Sequence, residues 1–246
     1  MINKLLTSLQ HPFVKDLVRL RKDRTFRREE KKVLVTGYKL VQELLDVKAP
    51  VETLILEEDF SFPSPISTVR VTKEILKKIT GLEEPEKIAA IIAMPSFCDL
   101  SAVSYLLVLD GISDPGNLGT LLRTAWALGW EGVYLTENSC DPFNEKAIRA
   151  AKGATFSLPL QEGAFEDFKK KSSYFKTFVA DMEGTSVDLV KAEAPIALIL
   201  SRESTGARKE AKELFSSLKV PMCENTESLN VAAAGAILLY QLKRNL

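Results

Sequence analysis

The chain has 246 residues, 46% of them hydrophobic and 27% charged, and its formal net charge is zero. This is the composition of an ordinary globular protein, long enough for one large domain or two modest ones. With a single histidine, His11, mechanisms that need several are excluded, and three widely spaced cysteines without a CxxC argue against a disulfide framework or a zinc site, so no metal is expected and a reducing cytoplasm fits.

Taken in chain order, charges interrupt the first twenty residues, so they do not read as a signal peptide. His11 precedes Pro12 and reads as a turn or helix-entry residue, followed by a helix to Arg21 with Phe13, Leu17, Val18 and Leu20 on one side. From Lys15 to Lys32 there are nine Lys/Arg against four Asp/Glu, a cluster that includes Arg24, Arg27 and Arg28. It can hold phosphates or be a solvated face. Strands are expected at Val33–Val35, Val51–Leu56, Val69–Val71 and Ile88–Ala93, with helices at Tyr38–Leu45 and Lys73–Ile79 and a proline loop around Pro63 and Pro65. Residues 1–97 thus form one α/β unit, and Met94 to Ser101 reads as a linker.

The second half, 98–246, opens on Tyr105–Leu109, an uninterrupted apolar run of the parallel-sheet type. Further strands are expected at Gly132–Leu135, Phe156–Leu160, Phe175–Ala180, Ile196–Leu200 and near Val220, with helices between them. Such alternation implies a parallel sheet covered on both faces. The longest apolar run, Val231 to Tyr240, is too short to span a bilayer, so no membrane partner is expected.

Four segments of this half place polar groups where chemistry could occur. Asp114-Pro115-Gly116-Asn117-Leu118-Gly119 follows a strand end, with Asn117 as a candidate N-cap. Behind it, Leu118, Leu121, Leu122, Ala125 and Leu128 share one helix face and Thr120, Arg123, Thr124 and Ala127 the other. Arg149 and Lys152 lie three apart on a helix ending at Gly153; they read either as phosphate contacts or as cations placed at a helix C-terminus. In Leu200-Ser201-Arg202-Glu203-Ser204, a strand ends and a helix is expected near Ser204; Glu203 is a helix-start carboxylate or a site residue. Finally, Ser228 is a plausible cap for an alanine-rich helix from Leu229 that is apolar almost all round, which points to burial or a subunit seam. Asn230 within it needs a partner. Neither GxGxxG nor GxxxxGK[ST] occurs, so Rossmann and P-loop phosphate sites lack their glycines.

Together, DPGNLGTLLRTAWALG from Asp114, IRAAKGATFSLPL from Ile148, LILSRESTG from Leu198, and VPM with ESLNVAAAGAILLY from Val220 onward resemble the SpoU (TrmH-like) RNA 2′-O-ribose methyltransferases of the SPOUT superfamily. The first half is similar to the L30e-like substrate-binding domain often attached to them. The resemblance implies an α/β fold: a parallel-sheet SPOUT domain with a deep trefoil knot, preceded by a smaller α/β L30e-like domain. It implies S-adenosyl-L-methionine as cofactor, rRNA or tRNA as substrate, and a homodimer with shared active sites. Asn117, Arg123, Glu203, Ser228 and Asn230 would be catalytic. Backbone at Ser201, Val220, Met222 and Leu229 would cradle the cofactor, and Arg149, Lys152, Arg24, Arg27 and Arg28 would meet RNA. Arg123 would act as base or as anchor for the phosphate beside the reacting ribose; a guanidinium, with a pKa above about 12, is an awkward base. The chain departs from the pattern at Ser201-Arg202, where glycine followed by asparagine, serine or alanine is usual, and at Ala151, where serine is common. A protein of this fold that binds RNA without catalysis is the alternative, and base rather than ribose methylation a third reading.

Overall fold

The computed structural model describes residues 5–191, 193–202, 204–223 and 227–244. The chain divides into two compact units, Met1–Pro95 with Phe143–Arg149, and Ser96–Pro142 with Ala150–Leu246.

In the first unit α1 (Pro12–Lys22) and α2 (Arg24–Glu30) precede β1 (Lys32–Thr36), α3 (Tyr38–Asp46), β2 (Val51–Glu57), β3 (Thr68–Val71), α4 (Lys73–Thr80) and β4 (Ile88–Ala93). The sheet order is β1-β4-β2-β3, with β4 antiparallel to both neighbours and β3 parallel to β2. His11 Nδ1 accepts from the Phe13 N–H at 3.2 Å and so caps α1, with Pro12 supplying a helix-ready φ. Val14, Leu17 and Leu20 of α1 pack with Ile75, Leu76 and Ile79 of α4 in one apolar core. Arg27 corrects an expectation: it is 2% exposed, and its Nη1 donates to the carbonyls of Leu20 (2.7 Å) and Arg21 (2.9 Å). It satisfies the open carbonyls at the end of α1, so it is a structural arginine and not an RNA-facing one. Arg24 and Arg28 are half-buried.

The second unit contains β5 (Tyr105–Asp110), α5 (Pro115–Ala127), β6 (Gly132–Thr136), α7 (Ala154–Ser157), β7 (Leu160–Gly163), α8 (Phe165–Lys171), β8 (Lys176–Ser186), β9 (Ile196–Ser201), α9 (Lys209–Leu214), β10 (Ser216–Lys219) and α10 (Val231–Arg244). Helix α6 (Glu145–Ala151) lies across the division of the chain. Six strands run parallel in the order β10-β8-β9-β5-β6-β7. All six residues of β5 are buried, as an apolar central strand of a parallel sheet should be. One face packs Leu106, Val108, Tyr134, Phe168 and Ile199 together. On the other, Gly235 of α10 comes so close to Leu121 and Leu200 that a Cβ there would lie 2.5 and 2.7 Å from their methyl groups. Among the described residues no helix is long and apolar enough to cross a membrane.

Three expected elements are displaced. The apolar run Phe156–Leu160 begins in a turn of helix, α7, entered through Gly153 at φ 88° and ending at Ser157, and the strand starts only at Leu160. Short apolar runs do not distinguish the two states. The helix expected near Ser204 begins at Lys209, because the Gly206 N–H closes a turn onto the Arg202 carbonyl at 3.0 Å and Gly206 takes φ 64°. The strand expected at Phe175–Ala180 runs on to Ser186, with a large break in its pairing: Ser217 sits opposite Val179 but Leu218 opposite Thr185. The residues between are pushed out of the ladder. Gly184 permits this, since a Cβ there would lie 2.5 Å from the Ser217 backbone.

Candidate active site

The excursion of β8 makes one wall of a cavity of about 400 Å³ at the carboxyl ends of β8 and β9. Ala180, Asp181, Met182 and Glu183 line it on that side. Leu200 and Ser201 form its base, Val220 and Met222 enter after β10, and Ser228, Leu229 and Val231 close it. The carboxyl edge of an open parallel sheet is where such folds bind ligands. Thus Ser201, Val220, Met222, Leu229 and Ser228, identified from sequence, converge on one cavity. Glu203 lies outside the described residues.

The sequence reading missed the Ala180–Glu183 wall. Its signal is an isolated glycine, Gly184, within a strand pattern, which marks a bulge or close backbone approach. The wall carries charge. Burial would raise the Asp181 carboxyl, but hydrogen bonds from the Lys212 ammonium and the Glu183 N–H (2.9 Å), with the Lys212 charge, hold it below the ordinary carboxylate value. Asp181 is therefore an anion at neutral pH. Ser201 brings a different feature: its hydroxyl is buried and meets no partner among the described residues. Leaving such a group unsatisfied costs about 1–3 kcal/mol, so a ligand able to bond it gains that much in principle.

Beside the cavity two helix mouths meet. Asp114, not Asn117, caps α5: its Oδ1 accepts the Asn117 N–H at 2.7 Å, with Pro115 in the first turn. The side chain of Asn117 is thereby released from capping. It faces Asn230, whose Nδ2 donates to Asn117 Oδ1 at 3.0 Å. Asn230, not Ser228, caps α10, accepting at Oδ1 from the N–H groups of Ala232 (3.0 Å) and Ala233 (3.3 Å). Those two donors settle the orientation of the amide: oxygen to the helix, nitrogen to Asn117.

This arrangement yields a paired prediction. Asn230→Ala removes the cap and is expected to cost about 1 kcal/mol. Asn230→Asp keeps an acceptor at the helix mouth but has no N–H for Asn117. The aspartate variant should melt close to wild type and still lose most of the activity of the site. Full activity in that variant would show that the contact to Asn117 is dispensable.

Arg123 does not join this group within the chain. It is exposed on the outer face of α5 with Thr120 and Ala127, and it lines neither this cavity nor a second one nearby. Trp126 (47% exposed), Ile237 (43%) and Tyr240 (49%) leave apolar surface open on α5 and α10. Arg149 groups with the first unit and Lys152, at φ 47°, with the second.

A family model described as the SpoU rRNA Methylase family matches residues 104–240, and one described as the MRM3-like substrate binding domain matches residues 11–90. The chain is 32% identical over 250 residues to the 23S rRNA (guanosine(2553)-2′-O)-methyltransferase RlmP of Bacillus subtilis, covering 98% of this chain and 99% of that protein. Human mitochondrial rRNA methyltransferase 3 is 26% identical, over 92% of this chain and 70% of its own length. A crystal structure of an AdoMet-bound rRNA methyltransferase from Sinorhizobium meliloti superposes with a TM-score of 0.88 at 26% identity, covering 99% of this chain and 98% of that one. The parallel sheet with its cavity at the strand ends is thus that of a methyltransferase fold. The chain belongs to the SpoU rRNA methylase family.

Proposed function

We propose that the protein is an S-adenosylmethionine-dependent methyltransferase that modifies a ribose 2′-hydroxyl of RNA, with ribosomal RNA as the substrate. The observation that carries this reading is the cavity between the β8 excursion and the Ser228–Val231 segment, with the Asn117–Asn230 pair at its side. Its residues fit the cofactor. The volume lies in the range of small-molecule sites. Leu200, Leu229 and Leu238 offer apolar contact, Asp181 an anion for a cationic ligand, and Ser201 an unsatisfied hydroxyl. Bound there, the cofactor supplies a methyl group activated on a sulfonium.

The chain's own residues do the rest. The segments from Lys219 to Met222 and from Ser228 to Val231 hold the ligand against the strand ends, and alignment of methyl and hydroxyl supplies much of the rate. Asn117 and Asn230 present amide groups to the ribose, and Glu203 and Ser228 complete the polar site. Arg123 comes from a second copy, where it steadies the reacting nucleotide as base or as phosphate anchor. Homodimerisation through α5 and α10 is supported by the exposed Trp126, Ile237 and Tyr240. The C-terminal trefoil knot is part of the same reading, since α10 follows β10 at the sheet edge yet packs on α5. Residues 1–97 act as the RNA-holding domain, with Arg24 and Arg28 among its cations, and residues 98–246 as the methyltransferase, with Arg149 and Lys152 as further RNA contacts. The cytoplasm is the proposed location, with the ribosomal RNA.

Calorimetric titration of S-adenosylmethionine into the whole protein tests this reading. Micromolar binding near one site per chain is expected. Silence both alone and with bulk ribosomal RNA present would leave a fold that binds RNA without catalysis.

A further inference from the structure

A second, more polar cavity adjoins the first. Arg202, Gly206 and Ala207 line both, and the second, about 380 Å³, opens beside the ends of β5 and β9. Among the described residues around it, three are cations, Arg202, Arg208 and Lys209, and one is a carboxylate, Asp110.

Asp110 is already committed. It is 4% exposed, and Arg208 donates from Nε to Oδ2 and from Nη2 to Oδ1, each at 2.6 Å. The Thr136 hydroxyl donates to Oδ1 at 3.0 Å, and the Gly111 N–H donates to both Thr136 Oγ1 (3.0 Å) and Ser139 Oγ (3.1 Å). A bidentate fork of this kind sets the guanidinium in one orientation. It uses two of the five N–H donors, so three remain for another group. The Phe165 ring, 4.7 Å from Cζ, supports the same orientation. Arg208 is thus a pre-set cation whose charge Asp110 offsets.

The other two cations add to it. The Arg202 guanidinium lies over Gly111: a Cβ on that glycine would sit 3.0 Å from Nη2 and 3.1 Å from Nε. Gly111 also takes φ 73°, so backbone and arginine both require glycine there. Arg202 is one of the positions where the chain departs from the family pattern. Lys209, 91% exposed at its side chain, has a loose 3.7 Å contact with Glu213. Glu137 and Glu210 also act on Arg208 from outside the lining, and Glu210 is held by Lys169. The described lining therefore keeps an excess of positive charge beside the cavity assigned to the cofactor, with Asn138 and Thr205 as further polar groups.

We propose that this second cavity binds one phosphodiester group of the RNA, adjacent to the nucleotide whose ribose is methylated. This rests on the reading of the protein as an RNA methyltransferase. The two non-bridging oxygens accept from the Arg202 fork and from the unused donors of Arg208, and Lys209 contributes charge at the rim. Planar guanidinium forks suit such an anion better than ammonium groups do.

The test measures affinity for a fluorescent single-stranded RNA of ribosomal sequence across a salt series, with wild type, Arg202→Asn, Lys209→Ala and the double variant. Each lost phosphate contact should reduce the slope of log K against log salt by about 0.7. The double variant is expected to bind roughly tenfold more weakly and to show the smaller slope, whereas inorganic phosphate should compete only weakly. An unchanged slope in the double variant overturns the proposal. Lys209 lines only the polar cavity, so Lys209→Ala should keep wild-type affinity for S-adenosylmethionine. Cofactor binding in the wild type together with an unchanged slope would remove the phosphate site and leave the functional reading. A changed slope with no cofactor binding would do the reverse.

Discussion

Arg123→Ala is expected to lower methyl transfer by about 10²–10³-fold, the scale on which a single transition-state contact acts, while cofactor affinity and melting temperature stay at wild-type values. The reason lies in where Arg123 stands. It is exposed on α5 and lines neither cavity of its own chain. Substitutions at such surface positions usually change stability by less than about 0.5 kcal/mol, so a large loss of activity would reflect contact with RNA and not misfolding, and in the proposed homodimer that contact is made at the partner's site. Complementation makes this decisive. If the protein is the proposed homodimer, mixing Arg123→Ala and Asn230→Asp chains gives dimers of which half pair the two variants. In each of those, one site receives an intact Asn230 from one chain and an intact Arg123 from the other. About a quarter of all sites should then work, as follows from two-fold symmetry. If Arg123 serves its own chain, the mixture stays inactive. Methyl incorporation into RNA by the mixture, measured beside each variant alone, separates the two outcomes.

Gly235→Val is expected to destabilise the protein by about 3 kcal/mol, the upper end for overpacking a dense core. At roughly 2–4 °C per kcal/mol for a chain of this size, the melting temperature should fall by about 6–12 °C. A single Cβ would already meet Leu121 at 2.5 Å and Leu200 at 2.7 Å, and both leucines are 0% exposed, so neither can turn aside into solvent. The helix must move instead. Because α10 begins directly after Asn230 and carries Val231 on the cavity wall, cofactor affinity should fall with stability. Leu121→Ala in the same chain opens space and should recover part of both losses, a coupling expected of residues in contact. A Gly235→Val protein that melts and binds like wild type would show that the two helices are not held as tightly as these distances state.

Legibility differed from one element to the next for physical reasons. Tyr105–Leu109 and Ile196–Leu200 are central strands buried on both faces, so their composition alone carries the pattern. The DPGN segment announces a helix mouth because proline and a short carboxylate are strong local signals. Which residue of such a mouth caps the helix was less legible: Asp114 and Asn230 do so where Asn117 and Ser228 were expected, and all four are competent acceptors. The charge cluster at Lys15–Lys32 reads uniformly in sequence, yet Arg27 is buried on two carbonyls, since the turn between α1 and α2 leaves those acceptors open.

What the amino-acid order determined by itself is therefore local: strand runs, helix mouths, the glycines that permit unusual backbone, and the motifs that resemble one family. The tertiary structure decided everything that depends on residues far apart meeting. Asn230 finds Asn117 across 113 positions. The Ala180–Glu183 excursion exists only because β10 pairs with β8 on either side of it. Arg208 reaches Asp110 across 98 positions and turns a loop cation into a fixed one. Hydrogen bonds of that range are set by the order of strands in the sheet, and no periodicity along the chain records that order.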